Sequence, residues 1–473
     1  MRLTMPISLF AGAVVLLMNG APDPAAKAVL DTALAHMGGL SALSAVERVE
    51  LQVMTEWQRT DFDTRRPPVI LSYELSTELR DYTIPAWRYS RKFFSPNGTA
   101  EVIDLVTDSV AAIGMNGRWR AQNVAYVDER DEVFAFAPER VVRLAREAPD
   151  PSLLPDTVVA GVRYARVAAT VGRFHPVLFF RRSDGLLALA RVAAGQPNDF
   201  GLAAWGMMDV EFAYSRWQRL PDAKLLLPMQ VDVSRVGRPY KRMTTISAKI
   251  NPVIPADSLV IADSLRAAFL ATSRRPMFDL QTDSARIVDG AFALFGSFGP
   301  PSGAVKIGGK WLLIEAGTAP LTIERSVNFL RRVDSSTSIA AALVTAPAGA
   351  GGIAWLTRQS IVTWITNTAA PFADAALRGW PTGNTRLRVA TDQRWIRVGN
   401  DSLRVEAIDL PDYPGATVVY VPSLRWAYTW SAGPAQIDYV VAHIRKRGWH
   451  VDRLGSARSF IGVPIAPGGT ASR

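Results

Sequence analysis

The hydrophobic periodicity of the chain changes near residue 255, and this change limits the possible folds more than any other feature. Before that point apolar residues alternate with polar ones, as at Val210, Phe212 and Tyr214, which predicts strands with one side facing solvent. Beyond it, strand and helix patterns alternate, beginning with the apolar segment 311–316. The sequence therefore predicts an antiparallel β domain followed by a domain that layers helices on sheets.

Length and helix-breaking residues define the expected domains. The chain has 473 residues, which at roughly 150 residues per domain allows two or three domains. The Asn251-Pro252 pair ends the alternating pattern, and such pairs are typical of loops. We therefore expect an antiparallel β domain at residues 22–257, a linker at residues 258–277 and a second domain at residues 278–473.

Three helices are predicted with defined ends. Apolar residues at helical spacing precede Gly38, and glycine commonly ends a helix. A second apolar stripe follows Pro138, and a third runs from Pro434 to Gly448. Proline at the start and glycine at the end agree with the usual asymmetry of helix termini.

The first residues have the pattern of an export signal. A basic start at Arg2 precedes the apolar run 7–18 and the small residue Ala21, which predicts a secretory signal peptide at residues 1–21. The alternative is an uncleaved membrane anchor, but the run is shorter than the roughly 20 residues that cross a bilayer. We expect an exported protein, periplasmic or secreted, with no membrane span in the mature chain.

Composition excludes several function classes. The 53 basic and 43 acidic residues give a net charge of +10, but the basic residues form only short runs such as 445–447, which favours a solvated surface over nucleic-acid binding. Cysteine is absent, so disulfides, thiolate nucleophiles and cysteine-bound zinc are excluded. The sequence also contains neither a G-x-S-x-G nucleophile motif nor a phosphate-binding P-loop.

Several segments carry resemblances to known families. Val288-Asp289-Gly290, the run 312–317 and Val344-Thr345 with Gly351-Gly352 follow the order of a metallo-β-lactamase fold. The β domain, with its Met37-Gly38-Gly39 helix end and Asn251-Pro252 exit, resembles the LolA/LolB-type half-barrel of lipoprotein carriers. These resemblances imply an α+β protein: an N-terminal curved antiparallel β half-barrel with helices, followed by an αββα metallo-β-lactamase-like sandwich.

The zinc motif that this family carries is missing. The resemblance places a His-x-His-x-Asp-His motif between Thr345 and Gly351, where this chain has only alanine, proline and glycine. Those side chains have no lone pairs that can bind zinc. The former metal-site positions implied by the resemblance are Ala346, Pro347, Ala348, Gly349, Asp412, Trp430 and Ser456. We expect no bound metal and no cofactor.

Other metal-ligating residues are few. The chain has four histidines, and His443 beside a core stripe and His450 before a strand favour structural or surface roles. Asp409 and Asp412 lie near prolines, where acidic residues commonly form turns. A weak calcium or magnesium site at these two carboxylates remains the alternative.

Two classes of function follow from these observations. The first is an exported non-catalytic protein, a pseudoenzyme that binds a lipid or another apolar ligand on an aromatic face. The aromatic face consists of Trp87, Tyr89, Phe179 and Phe212. The alternative role of these four rings is core packing.

Such a protein can also bind a cell-envelope partner through exposed tryptophans. Those candidates, which crowd the region of the former cleft, are Trp355, Trp364, Trp380, Trp426 and Trp430. The second class is a hydrolase with a relocated or metal-independent active site.

Overall fold

A computed structural model describes most of the chain after residue 22. The described residues are 23–58, 72–95, 98–199, 202–273, 284–296, 302–378, 386–410, 413–430, 434–457 and 459–465. The predicted signal peptide, Asp412 and Trp380 lie outside these residues. Within them, no helix is long and apolar enough to span a membrane.

The first half of the described chain forms one antiparallel sheet. Its strands pair in the order β6-β5-β4-β3-β2-β1-β13-β12-β11-β10-β9-β8-β7. The strands are β1 (Arg48–Trp57), β2 (Ser72–Asp81), β3 (Ala86–Ser95), β4 (Gly98–Thr107), β5 (Val110–Met115), β6 (Arg118–Ala121), β7 (Ser152–Val159), β8 (Val162–Ala168), β9 (Val177–Arg181), β10 (Leu187–Gly195), β11 (Met207–Arg219), β12 (Leu226–Arg235) and β13 (Arg238–Ile250). Because β1 pairs with β13, the chain's first and last strands of this half meet in the middle of the sheet.

Four helices cover one face of this sheet, which we call the inner face. They are α1 (Pro24–Met37), α2 (Leu40–Ser44), α3 (Ala125–Ala135) and α4 (Pro138–Glu147). The Asp23 carboxylate accepts a hydrogen bond from the Ala25 N–H at 2.8 Å at the start of α1, and Gly38, with φ 125°, ends it. The buried stripe of α1, including Leu30 and Leu34, packs into the main core with inward-facing strand residues. The predicted helices before Gly38 and after Pro138 are confirmed.

The segment that follows β13 returns along the opposite, outer face. It contains the short helix α5 (Asp263–Ala268), inside the stretch predicted as a linker. Leu259, Ile261 and Phe269 of this segment are buried against Leu79 and Leu105 of the sheet. The segment therefore contributes apolar packing to the first sheet instead of being a free tether.

The second half contains two further sheets. The seven-stranded sheet comprises β14 (Ala285–Val288), β15 (Phe292–Phe295), β16 (Gly303–Ile307), β17 (Lys310–Ile314), β18 (Ile339–Val344), β19 (Thr363–Thr366) and β20 (Leu387–Ala390). The six-stranded sheet comprises β21 (Arg394–Val398), β22 (Asp401–Leu410), β23 (Tyr413–Val421), β24 (Trp426–Thr429), β25 (Arg453–Ser456) and β26 (Val463–Pro464). The helices of this half are α6 (Pro320–Val333), α7 (Ile353–Arg358), α8 (Ala370–Leu377) and α9 (Pro434–Lys446).

These elements stack as four layers. Residues of the two sheets, such as Leu312 and Val419, share one core between the sheets. Residues of α6 and α7 pack on the far side of the seven-stranded sheet, and Val440 of α9 packs on the far side of the six-stranded sheet. The predicted α+β class, with an αββα sandwich after the antiparallel sheet, is confirmed.

An aromatic contact joins the two halves. Trp205 lies in a 3₁₀ turn, Ala203–Trp205, between β10 and β11, and its ring centroid is 4.6 Å from that of Phe372 in α8. Both side chains are fully buried. At the rim of this contact, Arg378 donates two hydrogen bonds to the Asp209 carboxylate at 2.6 and 2.9 Å.

The backbone at the contact requires glycine. Gly206 has φ 59°, and a Cβ atom there would lie 2.8 Å from the backbone oxygen of Ala375 in α8. Both the left-handed conformation and the close approach disfavour any larger residue. The halves are therefore packed backbone against backbone as well as ring against ring.

We predict that Trp205→Ala lowers the free energy of unfolding of the full chain by about 3–5 kcal/mol, because it opens a cavity between the halves. Urea denaturation followed by circular dichroism measures this loss. The matched control is Trp395→Ala, since Trp395 is 50% exposed, and its effect should stay below about 1 kcal/mol. Equal effects of the two substitutions would contradict a packed contact between the halves.

Candidate functional site

The loop at residues 346–350, where the resemblance places a zinc motif, is buried. We call it the Ala/Gly loop. It leaves the end of β18, forms a 3₁₀ turn at Pro347–Gly349 and leads into α7. Ala346 and Ala350 are fully buried and Ala348 is 2% exposed. The loop thus offers neither ligand atoms nor an open position to a metal, and a catalytic zinc site needs both.

A buried carboxylate, outside the set of predicted site residues, organises this loop. Glu315 directly follows β17 and is 1% exposed. It accepts hydrogen bonds from the Thr345 N–H at 3.1 and 3.2 Å and from the Thr345 hydroxyl. The hydroxyl of Tyr428, on the facing sheet, acts to lower the pKa of Glu315. The Glu315 carboxylate therefore ties the end of β17 to the start of the loop.

The loop and Glu315 fit each other closely. A Cβ atom on Gly349 would lie within 2.0 Å of Glu315 Oε2, so only glycine allows this approach. Glu315 itself has φ 63°, a conformation that a non-glycine residue rarely adopts unless its surroundings impose it. The signal in the sequence was a lone glutamate in the otherwise apolar run 312–316.

Burial raises the pKa of Glu315 to about 7, and its hydrogen bonds from Thr345 oppose this shift. Burial dominates because removing a carboxylate from water penalises the charged form. The Glu315 carboxyl group therefore loses its proton near neutral pH, whereas an ordinary glutamate, with a pKa of 4.5, is already ionised there. It has no access to solvent through which it could act on a substrate.

The other former ligand positions have apolar or structural roles. Trp430 is 7% exposed and packs in one cluster with Ala346 and Ala348. Ser456 ends β25 beside it, where Thr429 and Ser456 are register partners. The positions implied by the resemblance thus converge in space, apart from Asp412, which lies outside the described residues.

The expectation of exposed tryptophan anchors is wrong for the residues that the structure describes. Trp355, Trp364, Trp426 and Trp430 are all at most 7% exposed. Their rings lie in the cores of the sandwich, because each sheet is covered by the other sheet on one face and by helices on the other. Trp430 shares a core cluster with Ala346 and Ala348 of the Ala/Gly loop, and Trp355 shares one with Ala350.

The first half closes the loop from outside. The turn Ala203–Trp205 contacts the turn Pro347–Gly349 directly, and it also contacts α8. Trp205, which packs on Phe372 of α8, therefore lies next to the loop. The loop thus has buried neighbours from three elements: Glu315 after β17, Trp430 after β24 and the turn Ala203–Trp205 of the first half.

The histidines do not form a metal site. His443 Nε2 lies 3.3 Å from the buried carboxylate of Glu406, which Arg404 also contacts at 3.0 Å, and burial lowers the pKa of His443. His36 Nδ1 lies 2.5 Å from the backbone oxygen of Asp184. Among the described residues, no group of three or more His, Asp or Glu side chains is placed to hold a metal ion.

A second candidate site is a cavity of about 70 Å³ between α3 and the inner face of the first sheet. Its aromatic lining consists of Trp57, Trp87, Tyr89, Phe136 and Phe212, and its charged lining consists of Glu78, Arg80, Glu129, Glu132 and Lys241. Three of the four residues of the predicted aromatic face therefore lie together here.

Phe179 does not join them. It pairs with Leu189 of β10 and packs with Tyr164 and Ala188 on the outer face. Its neighbours Leu178 and Phe180 belong to the inner core instead. Successive residues of a strand point to opposite faces, so Phe179 and its neighbours Leu178 and Phe180 cannot all face the inner side of the sheet.

The wall of this cavity is amphipathic, whereas the aromatic residues in the sequence predict an apolar one. The indole N–H of Trp87 donates to Glu78 at 2.7 Å, and the Tyr89 hydroxyl donates to Glu74 at 2.9 Å. Arg80 donates two hydrogen bonds to Glu78, both at 2.9 Å. Two of the rings that were expected to contact an acyl chain thus also donate hydrogen bonds to a buried network of charged groups. Pairing between opposite charges offsets the cost of burying that network.

Two charged groups of the cavity remain available. Within the described part of the chain, Glu129 and Lys241 make no hydrogen bond or ion pair. The Lys241 ammonium lies 5.2 Å from the centroid of the Trp57 ring. Burial raises the pKa of Glu129, and the positive charge of Lys241 opposes that shift. The cavity therefore presents one carboxyl and one ammonium group between aromatic walls.

Comparison with known proteins gives structural likenesses only. No family model matches the sequence, and no curated protein matches it. A LolA superfamily protein from Nitrosomonas europaea matches with a TM-score of 0.28 and 10% identity over 51% of this chain and 99% of that chain. A metallo-β-lactamase from Pontibacter korlensis matches with a TM-score of 0.29 and 14% identity over 37% and 90%. The metallo-β-lactamase FIM-1 from Pseudomonas aeruginosa matches with a TM-score of 0.29 and 12% identity over 37% and 87%. Both predicted resemblances therefore recur among solved structures, and at these identities they concern the fold alone.

Glu315 gives a pH prediction. Its folded pKa, about 7, lies above its ordinary value of 4.5, so between these values the folded state holds a proton that the unfolded state has lost. The contribution of Glu315 to stability is therefore full below pH 4.5, decreases up to pH 7 and is constant above, a change of about 3 kcal/mol. Glu315→Gln cannot ionise and should lack this decrease.

Urea denaturation at several pH values measures the difference in unfolding free energy between the two proteins. The neutral glutamine should gain stability relative to the wild type as the pH rises from about 4.5 to 7. A difference that stays constant across this window would contradict the raised pKa of Glu315.

Proposed function

We propose that the protein is an exported, non-catalytic binding protein, in which the half-barrel cavity takes the ligand and the αββα sandwich is a scaffold. The observation that carries this proposal is the enclosure of the Ala/Gly loop, whose buried side chains offer no ligand atoms. Export itself is inferred from the N-terminal sequence pattern. A cell-envelope protein partner is compatible with this function but has no tryptophan anchor among the described candidates.

Hydrolysis at the former site would need features that the described residues do not supply there. A zinc hydrolase holds its metal by imidazole or carboxylate groups and leaves one position open to water. The one carboxyl group at the loop, that of Glu315, is buried and bound to Thr345. No specific observation in the described chain favours a relocated active site.

The cavity lining indicates the class of ligand. Its volume of about 70 Å³ is well below the roughly 300–1,000 Å³ of typical ligand pockets. In this conformation it admits a small molecule or a few waters, and a long acyl chain enters only if α3 moves outward. The ligand that fits the wall is amphipathic, with an apolar body between Trp57 and Phe212 and a polar end that hydrogen-bonds to Glu129 and Lys241.

Native mass spectrometry of the exported full chain, purified without chelators and with zinc supplied, tests both parts of the proposal. We predict no stoichiometric zinc, because the Ala/Gly loop cannot coordinate it, and retention of a small-molecule adduct. One zinc per chain that is lost in His450→Ala or Asp412→Ala would contradict the non-catalytic assignment.

The adduct has its own control. Lys241→Met removes the free ammonium group of the cavity and should reduce adduct occupancy by about tenfold or more. Lys249→Met is the matched control, since Lys249 is exposed on the same strand, β13, and pairs there with Glu50 at 2.7 Å. Equal occupancy in both variants would place the ligand elsewhere, and an adduct-free wild type would contradict the binding role of the cavity.

A further inference from the structure

A groove of about 500 Å³ lies on the outer face of the first sheet. It is on the opposite side of the sheet from the cavity under α3, and neither the proposed function nor the predicted sites use it. Its volume lies within the roughly 300–1,000 Å³ of typical ligand pockets. The segment that carries α5 covers the adjoining part of the same face, and the described residues leave the groove uncovered.

The floor of the groove is one row of residues across β1 to β6. Register partners in this row are Gln52 and Thr77, Thr77 and Ser90, Ser90 and Ile103, Ile103 and Gly114, and Gly114 and Trp119. Directly paired residues point to the same side of a sheet. The row therefore forms a continuous track about six strands wide, with Trp119 at one end.

Trp119 provides an aromatic platform. A Cβ atom on Gly114 would lie 2.9 to 3.1 Å from Cε2, Cζ2 and Cδ2 of Trp119, so the indole lies flat on the glycine backbone. The side chain is nevertheless 41% exposed, because its other ring face is open. The φ angle of Gly114 is not positive, so the backbone conformation does not require glycine here. The close approach of the indole ring does.

The lining of the groove combines three neutral polar side chains that lack a hydrogen-bond partner in the described part of the chain with three charged residues, Arg91, Lys92 and Glu101. Arg91 pairs with the buried carboxylate of Asp104. Within the described residues, the side chains of Gln52, Thr77 and Asn116 make no hydrogen bond. At the rim, Lys92 and Glu101 face each other at 3.7 Å and offset each other's charge. Apolar surface from Leu75 and Ile246 lies between these polar groups.

We propose that this groove binds a neutral saccharide. A sugar ring has an apolar C–H face that stacks on an aromatic ring and a rim of hydroxyl groups that pair with amide and hydroxyl side chains. A flat aromatic platform beside unpartnered Gln52, Thr77 and Asn116 matches both parts. An acyl chain or a bilayer surface would leave those three side chains without partners, which is unfavourable.

Calorimetric titration of the full chain with three hexasaccharides, cellohexaose, maltohexaose and hexa-N-acetylchitohexaose, tests the proposal. We expect at least one to bind with a Kd of about 1 mM or tighter. Trp119→Ala should weaken that binding by about tenfold or more, and Gly114→Ala should weaken it as well because the new Cβ atom lifts the ring. Trp395→Ala, which removes an exposed tryptophan of the other half, should leave the Kd unchanged.

Salt separates this proposal from charged ligands. Since the contacts are uncharged, raising NaCl from about 50 to 500 mM should change the Kd by less than about twofold. The absence of binding by all three saccharides up to about 10 mM, or binding that Trp119→Ala leaves unchanged, would overturn the proposal. Binding of phosphatidylcholine vesicles that depends on Trp119, without saccharide binding, would overturn it and identify a membrane-facing surface.

Discussion

The contact between Trp205 and Phe372 is the interaction on which the arrangement of the protein depends. It buries two large rings at the point where the turn Ala203–Trp205 meets both α8 and the Ala/Gly loop. A cleft in the sandwich at this place would need solvent access, and the contact removes it. The same packing that joins the two halves therefore also lies against the Ala/Gly loop.

Glu315 explains how the loop keeps its shape without metal ligands. In a zinc site, bonds to the metal fix the loop that carries the ligands. Here the Glu315 carboxyl group accepts hydrogen bonds from Thr345 at the entrance of the loop, and Gly349 allows the loop to close over it. An internal hydrogen-bonded carboxyl group thus holds the segment, at the cost of burying an ionisable group that is half-protonated near neutral pH.

The sequence predicted the helices and strands that a local residue pattern defines. It did not predict features that depend on which sheet face a residue points to, or on contacts with distant parts of the chain. Gly38 marks the end of α1, and the alternating runs mark the strands of the first sheet. Helix α3 was not predicted, because its buried side carries Asp128 and Glu132 instead of an apolar stripe. The ion-pair partners of these two residues come from distant parts of the chain. Phe179 and Phe180 are adjacent in an unbroken apolar strand, so the pattern alone did not decide which one faces inward. The burial of Trp430 and the role of Glu315 likewise depend on which sheet packs on which.

Hydrogen exchange of the full chain measures whether the Ala/Gly loop is closed to solvent. In the native structure the Gly351 N–H donates to the Gly317 carbonyl at 3.0 Å, inside a buried segment. The amides of residues 348–353 should therefore exchange as slowly as those of the core strand β18, because only global or domain unfolding exposes them. Exchange of these amides as fast as that of the exposed turn after Asp392 would show an open cleft and contradict the account.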